Sequence, residues 1–264
     1  MEEVEDGSVQ LVVTSPPYNV GKAYERPVDN GRHLGNLEEY LALLKEVWRE
    51  CVRVLCTGGR LAVNVASTWR QPYIPLHSYI TMQLHELGLI MRGEIIWDKG
   101  ASVGVSTAWG SFARASNPTL RDVHEYILVF SKGSLKLDST GKRSGISNRD
   151  FVEWTRSIWR FSTESPRRVR HPSPFPEELP RRLILLYTNV GDLVLDPFMG
   201  SGTTAVAAVK EGRRYIGYDS EPDYCLAARQ RLAGGQTSLL SNALEPAKKT
   251  TPARPRQAKL RLVR

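Results

Sequence analysis

The chain is short of cysteine and has no long apolar run. Cys51, Cys56 and Cys225 are its three cysteines in 264 residues, and they have no metal-ligand spacing. That excludes a disulfide scaffold and predicts reduced thiols in a cytoplasmic protein. His33, His77 and His85 also lack a partner at ligand spacing, so no metal is expected. No stretch of about 18 apolar residues occurs, which excludes a transmembrane helix, and no membrane partner is expected. The opening Met1-Glu2-Glu3-Val4-Glu5-Asp6 is acidic and is not expected to direct export. No internal repeat is visible. What is present is ordinary for a globular protein, with 41% hydrophobic and 24% charged residues. The length suits one large α/β domain or two small ones.

The net charge of +8 is unevenly placed. Residues 1–133 carry 13 Lys/Arg against 15 Asp/Glu, and residues 171–245 carry 7 against 9, so each segment is net −2. Residues 134–170 carry 9 against 4, and residues 246–264 carry 7 against none, net +5 and +7. Localised basic segments suit a polyanion such as DNA. For residues 246–264 a solvated, disordered basic tail is an equal reading.

Short apolar, β-branched runs at residues 9–13, 60–65, 93–97, 126–130, 193–195 and 215–218 end in turn or polar residues. Continuous runs of this kind fit strands buried on both faces. Helical spacing lies between several of them, at residues 37–55, 79–87, 180–187, 203–211 and 223–232. The alternation predicts an α/β fold with a mainly parallel, doubly wound sheet. The run opened by His124-Glu125-Tyr126 follows a strand without a clear helix, which predicts one antiparallel strand. Residues 19–36, 100–121 and 135–170 fit no compact element, and loops this long tend to be functional. The last has Trp154, Trp159 and Phe161 interleaved with basic residues.

Two short segments carry the chemistry. Thr14-Ser15-Pro16-Pro17-Tyr18 follows the first strand. The prolines fix φ and leave the Pro16 carbonyl outside any helix ladder. Ser15 adds a side-chain acceptor and Tyr18 a flat ring. Two acceptors and a stacking ring suit an exocyclic NH2 on a planar heterocycle. A base in a duplex must be flipped out to reach such a site. The second segment, Asp196-Pro197-Phe198-Met199-Gly200-Ser201-Gly202-Thr203-Thr204, lies between a strand and a helix. Its glycines permit close backbone approach to a ligand at a helix N-terminus. Asp219, after the next strand, can accept hydrogen bonds from ribose hydroxyls. This half alone also fits a dinucleotide site, so a NAD-dependent oxidoreductase stays open. That reading gives Ser15–Tyr18 no role.

Together the segments resemble the S-adenosyl-L-methionine (AdoMet)-dependent DNA amino-methyltransferases, which modify cytosine N4 or adenine N6. Ser15-Pro16-Pro17-Tyr18 is similar to their catalytic motif, and residues 196–204 to their cofactor loop. His171, Phe175 and Pro176 resemble the segment that closes over AdoMet. Residues 59–64, 95–99 and 124 onward resemble sheet strands and base-pocket segments. The likeness spans most of residues 9–232. Catalytic motif before cofactor loop is the order of the circularly permuted β group. The resemblance implies a methyltransferase (Rossmann-like) sheet in that permuted order, AdoMet as cofactor and double-stranded DNA as substrate.

The implied organisation is a catalytic half at 1–133, a target-recognition insertion at 134–170, an AdoMet-binding half at 171–245 and a basic disordered tail at 246–264. Family members carry a short strand ahead of the catalytic motif, with an acidic residue near the AdoMet adenine. Residues 238–245 resemble that strand, and Asn242 is expected in the acidic residue's place. Ser15 leans the target towards cytosine N4, since Asp in that position is typical of adenine N6. None of the cysteines follows a proline, which argues against cytosine C5 chemistry. The recognised DNA sequence, a companion restriction endonuclease and a homodimer are left open by the sequence.

Overall fold

The computed structural model describes residues 1–17, 37–66, 68–70, 73–100, 110–120, 122–163, 175–242 and 261–262. One mixed sheet organises them. Its strands are β1 (Val9–Thr14), β2 (Leu55–Val65), β5 (Leu89–Asp98), β6 (His124–Lys132), β7 (Ile158–Arg160), β8 (Leu193–Asp196), β9 (Arg214–Gly217) and β10 (Arg261–Leu262). A separate two-stranded pair joins β3 (Thr68–Arg70) to β4 (Tyr73–Ile74). The order across the main sheet is β10-β9-β8-β1-β2-β6-β5-β7. Every pairing in it is parallel except the two made by β6, which opposes both β2 and β5. This is the mainly parallel sheet with one antiparallel strand that the apolar runs predict.

The central runs Leu11–Val13, Leu61–Val63 and Leu193–Leu195 are apolar and buried because helices cover both faces. On one face, helix α1 (Leu37–Val54) turns Tyr40, Leu44, Trp48 and Cys51 inward at helical spacing, beside Ile80 and Leu84 of α2 (Leu76–Glu86). They pack against Val12 of β1 and Val63 and Val65 of β2. On the other face, α4 (Glu178–Tyr187) and α5 (Thr203–Lys210) bury Leu179, Leu183, Ala205 and Ala208 against Leu11 and Val13. The last long helix, α6 (Pro222–Asn242), follows β9. No helix among the described residues is long and apolar enough to cross a membrane.

The basic insertion is built differently from the expectation. Residues 134–147 run along the edge where β2, β8 and β9 begin. The Arg60 guanidinium donates to the Leu135 carbonyl at 3.0 Å, and Val190 N–H donates to the Arg143 carbonyl at 2.8 Å. Lys142 pairs with the buried Asp192 at 2.8 Å, and Asn189 donates to Ser139 at 3.0 Å. Gly58 has a left-handed φ of +76, and a Cβ there would collide with the Lys136 carbonyl. Arg213, buried, ties residues 134–147 down. It donates to the Thr188 hydroxyl and carbonyl, to the Glu211 carbonyl and to the Ser144 carbonyl.

Further along, Ser147 caps α3 (Asn148–Trp154) by accepting from Asp150 N–H. Trp154 and Trp159 are buried, and the Arg182 guanidinium of α4 lies 5.4 Å, 5.3 Å and 4.8 Å from the Trp154, Trp159 and Phe161 ring centres. The interleaved aromatics therefore form a cation–π cluster against α4.

The C-terminal expectation also changes. Residues 238–242 continue α6, so Asn242 ends a helix instead of lying in a strand. The strand beside β9 comes from the segment expected to be a disordered tail, with Arg261 opposite Ile216 and Leu262 opposite Gly217. Two adjacent leucines, Leu239 and Leu240, fit either period, and the helix already running from Pro222 decides between them.

Arg213→Ala should lower the stability of the fold by about 3 kcal/mol, because it leaves several buried acceptors without their donor. Lys142→Ala, whose ammonium is partly solvated, should cost about 1 kcal/mol or less. Urea midpoints of the two variants check the contrast.

Candidate active site

Strand β8 leads outward to β9 on one side, and its neighbour β1 leads to β2 on the other. Connections that diverge in this way open a crevice at the C-terminal ends of the two central strands. Both chemistry-bearing segments start there. Val12 lies opposite Leu195, so Thr14-Ser15-Pro16-Pro17 and Asp196-Pro197-Phe198 leave the sheet side by side.

A single buried carboxylate joins them. Asp196 accepts from the Thr14 hydroxyl at 2.7 Å, the Thr204 hydroxyl at 2.6 Å and Phe198 N–H at 3.1 Å. Burial pushes the Asp196 carboxyl up to about 6, against the pull of those three donors, and the nearby Asp219 charge adds to the rise. The residue thus fixes the end of β1, the turn after β8 and the first turn of α5.

Asp219 shapes the cofactor-like turn itself. One of its oxygens accepts from Gly200 N–H at 2.8 Å and the other from Glu221 N–H at 2.9 Å. Met199 N–H donates to the Tyr218 carbonyl at 2.8 Å, and Gly202 N–H to the Met199 carbonyl at 2.8 Å. A carboxylate offers about four lone-pair sites, so Asp219 can hold the turn and still accept from a ligand hydroxyl. Gly202 caps α5 in the left-handed region at φ +79, and a Cβ there would sit 2.7 Å from Ala228 Cβ on α6. Only glycine lets the turn close against α6.

Ser201, Thr203 and Thr204 are buried. Arg231 of α6 donates to the Ser201 carbonyl at 2.7 Å, the Ser201 hydroxyl at 3.1 Å and the Thr203 hydroxyl at 3.2 Å. Arg231 was not legible as a site residue, since no spacing rule links it to a turn 30 residues earlier. Of the clamp, Ser15 and Pro17 are half-buried and Pro16 is buried. Tyr18 and His171 lie outside the described residues. Phe175 is half-buried against the core on the α4–α5 face, and Pro176 is buried just before α4. Asn242 is not brought into this group by its place at the end of α6.

A polar cluster flanks the clamp on the side away from β8. Thr14 lies opposite Val63, which puts Asn64 of β2 level with Ser15. Asn64 donates through Nδ2 to Glu125 at 2.6 Å, and Lys99 pairs with the other Glu125 oxygen at 2.9 Å. The Lys99 and Glu125 side chains are only 15% and 13% exposed, so solvent screens the pair weakly. The bond to Glu125 fixes the amide orientation and turns Asn64 Oδ1 away, where it is buried. His77 stacks on Tyr126 at 4.0 Å, and burial holds its imidazole below the usual range, favouring the neutral ring.

The crevice therefore offers a glycine turn with a carboxylate for a nucleoside-like ligand, next to a proline-stiffened pair of acceptors for a planar amine. A family model for N6/N4-type DNA methylases matches residues 9–230. The chain is 31% identical to the type II methyltransferase M.MjaI of Methanocaldococcus jannaschii over 253 residues, 83% of each chain. It is 29% identical to the DNA adenine methyltransferase YhdJ of Escherichia coli, over 88% of this chain and 79% of that one. A Thermus thermophilus protein described as a DNA modification methylase, solved with AdoMet, superposes with a TM-score of 0.69 at 33% identity, covering 89% of both chains.

The raised Asp196 pKa has a thermodynamic consequence. The folded carboxyl at about 6 lies above the unfolded value of about 3.9, so the folded state binds the proton more tightly. Asp196 therefore contributes its full stabilisation below about pH 4 and loses it as pH rises through 6. Relative to Asp196→Asn, the wild-type protein should lose about 3 kcal/mol of stability between pH 4 and 7 and be flat above that. Paired urea titrations across this range check it.

Proposed function

The chain belongs to the N6/N4-type DNA methylase family, whose model it matches over residues 9–230, and from that premise we propose that it transfers a methyl group from AdoMet to the exocyclic N4 of a flipped cytosine in duplex DNA. The observation that carries the choice of base is Ser15, an uncharged hydroxyl in the first position of the acceptor pair. Enzymes of this family are DNA methyltransferases with AdoMet as cofactor.

The residues of the turn fit that cofactor. Gly200 and Gly202 keep the backbone close to where a nucleoside would lie, and Asp219 stands at the turn with acceptor capacity for ribose hydroxyls. AdoMet, when bound, supplies an electrophilic methyl on a sulfonium. The remaining work falls to the clamp. Ser15 Oγ and the Pro16 carbonyl accept the two N–H bonds of the amine, which returns electron density to the ring-delocalised nitrogen and aims its lone pair. Tyr18 stacks on the base. Orientation of this kind supplies much of the acceleration, and no covalent enzyme intermediate is needed.

Adenine N6 is the second reading, favoured by the likeness to an adenine methyltransferase. The likeness to a type II methyltransferase supports a DNA-modification enzyme of that type.

DNA incubated with the protein and AdoMet, then digested to nucleosides, should yield N4-methylcytosine by mass spectrometry. N6-methyladenine in its place would overturn the choice of base. Ser15→Ala should lower turnover by about 100-fold or more, as expected for losing a group aimed at developing charge, while AdoMet affinity stays within about threefold.

A further inference from the structure

We propose that Arg231 is the positioning residue that locks the glycine turn in its cofactor-binding shape, a role that rests on the reading of that turn as the AdoMet site. Arg231 stands on α6, outside both motifs. Helix α6 begins at Pro222, just past Asp219, whose carboxylate accepts from Gly200 N–H at 2.8 Å and from Glu221 N–H at 2.9 Å. The helix then meets the turn where Ala228 faces Gly202. Residues three apart share one face of a helix, so Arg231 follows Ala228 onto the turn.

The turn is held residue by residue from separate elements. Asp219 holds Gly200, and Asp196 holds Thr204 at 2.6 Å. Between them, Arg231 Nη1 shares its protons among the Ser201 carbonyl at 2.7 Å, the Ser201 hydroxyl at 3.1 Å and the Thr203 hydroxyl at 3.2 Å. The first of these bonds matters most. The Ser201 carbonyl and the Gly202 N–H belong to one planar peptide unit. Arg231 clasps its oxygen, and the Met199 carbonyl clasps its N–H at 2.8 Å.

Rotation of that unit changes ψ of Ser201 and φ of Gly202. Glycine takes φ of either sign at little cost, so Gly202, at φ +79, offers little resistance of its own. Ser201 is buried, and its carbonyl deprived of the guanidinium would have to find another donor away from water. A rotated peptide is the cheapest way to do so. A ligand that fits only the native turn then binds more weakly, in proportion to the fraction of molecules that keep it. The planar guanidinium suits this task, since it presents several donors in a fixed fork, whereas an ammonium is a single point charge.

Calorimetry of AdoMet binding to the full chain tests this with three variants. Arg231→Ala should bind AdoMet about tenfold more weakly, as for a turn kept by about one molecule in ten. Arg231→Lys, which keeps the charge without the fork, should recover part of the loss and bind about threefold more weakly than wild type. Leu232→Ala is the control. It removes a buried core side chain from the next position of α6, so it should lower the urea midpoint yet leave AdoMet affinity within about twofold of wild type. In methyl transfer, Arg231→Ala should raise KM for AdoMet while kcat at saturating AdoMet stays within about twofold. Unchanged affinity in Arg231→Ala, an equal loss in Leu232→Ala, or a fall in kcat with KM unchanged overturns the role. If Arg231→Ala does not fold, Arg231→Lys decides: the threefold loss supports the role and an unchanged affinity overturns it. A wild-type protein that binds no AdoMet overturns the cofactor reading beneath it instead.

Discussion

The three hydrogen bonds received by the Asp196 carboxylate are the constraint on which the active edge depends. Thr14 and Asp196 are 182 residues apart in sequence and 2.7 Å apart in the fold. An ionised carboxylate without partners in that position would carry a large desolvation penalty. Thr14, Thr204 and Phe198 N–H offset it, and each bond to a charged group is worth about 1.5–3 kcal/mol. The same bonds set the clamp of β1 and the glycine turn of β8 at one mutual position. On the proposed reading, a methyl donor held by one and an amine held by the other meet only if this carboxylate is in place.

The rest of the molecule divides its work between the two edges of the sheet. The edge where the parallel strands end carries Ser15, Asn64, Asp196 and Asp219, all polar and all within half-buried or buried surroundings. The opposite edge is closed by residues 134–147, with Arg213 and Asp192 buried beneath them. The cation–π cluster of Arg182 with Trp154, Trp159 and Phe161 holds α3 and β7 against α4. Net positive charge in the insertion is thus partly consumed in holding the fold.

The sheet was legible because its strands are continuous apolar runs, such as Leu11-Val12-Val13 and Leu193-Val194-Leu195, and because helical spacing alternates with them. The family match and its cofactor remove the oxidoreductase that the glycine turn alone had left open. Other features needed three dimensions. Trp154 and Trp159 read the same whether they stack on a base or on Arg182. Asp219 reads as a ribose acceptor, but its bond to Gly200 N–H depends on how β8 and β9 lie together. Arg231 reaches Ser201 only because α6 folds back over the turn. The edge strand at Arg261–Leu262 is two residues long, too short for a period to show, and the expectation fell on residues 238–245 by their likeness to the family's strand.

The coupling of the clamp to the cofactor turn through one carboxylate is tested most directly at Thr14, which lies on the catalytic strand and in neither motif's ligand-facing turn. Calorimetry of AdoMet binding to Thr14→Val, alongside an unfolding curve, isolates the coupling. An affinity about tenfold weaker with cooperative unfolding retained is predicted, as expected for one lost bond to a charged group. An unchanged AdoMet affinity in a folded Thr14→Val protein would contradict it.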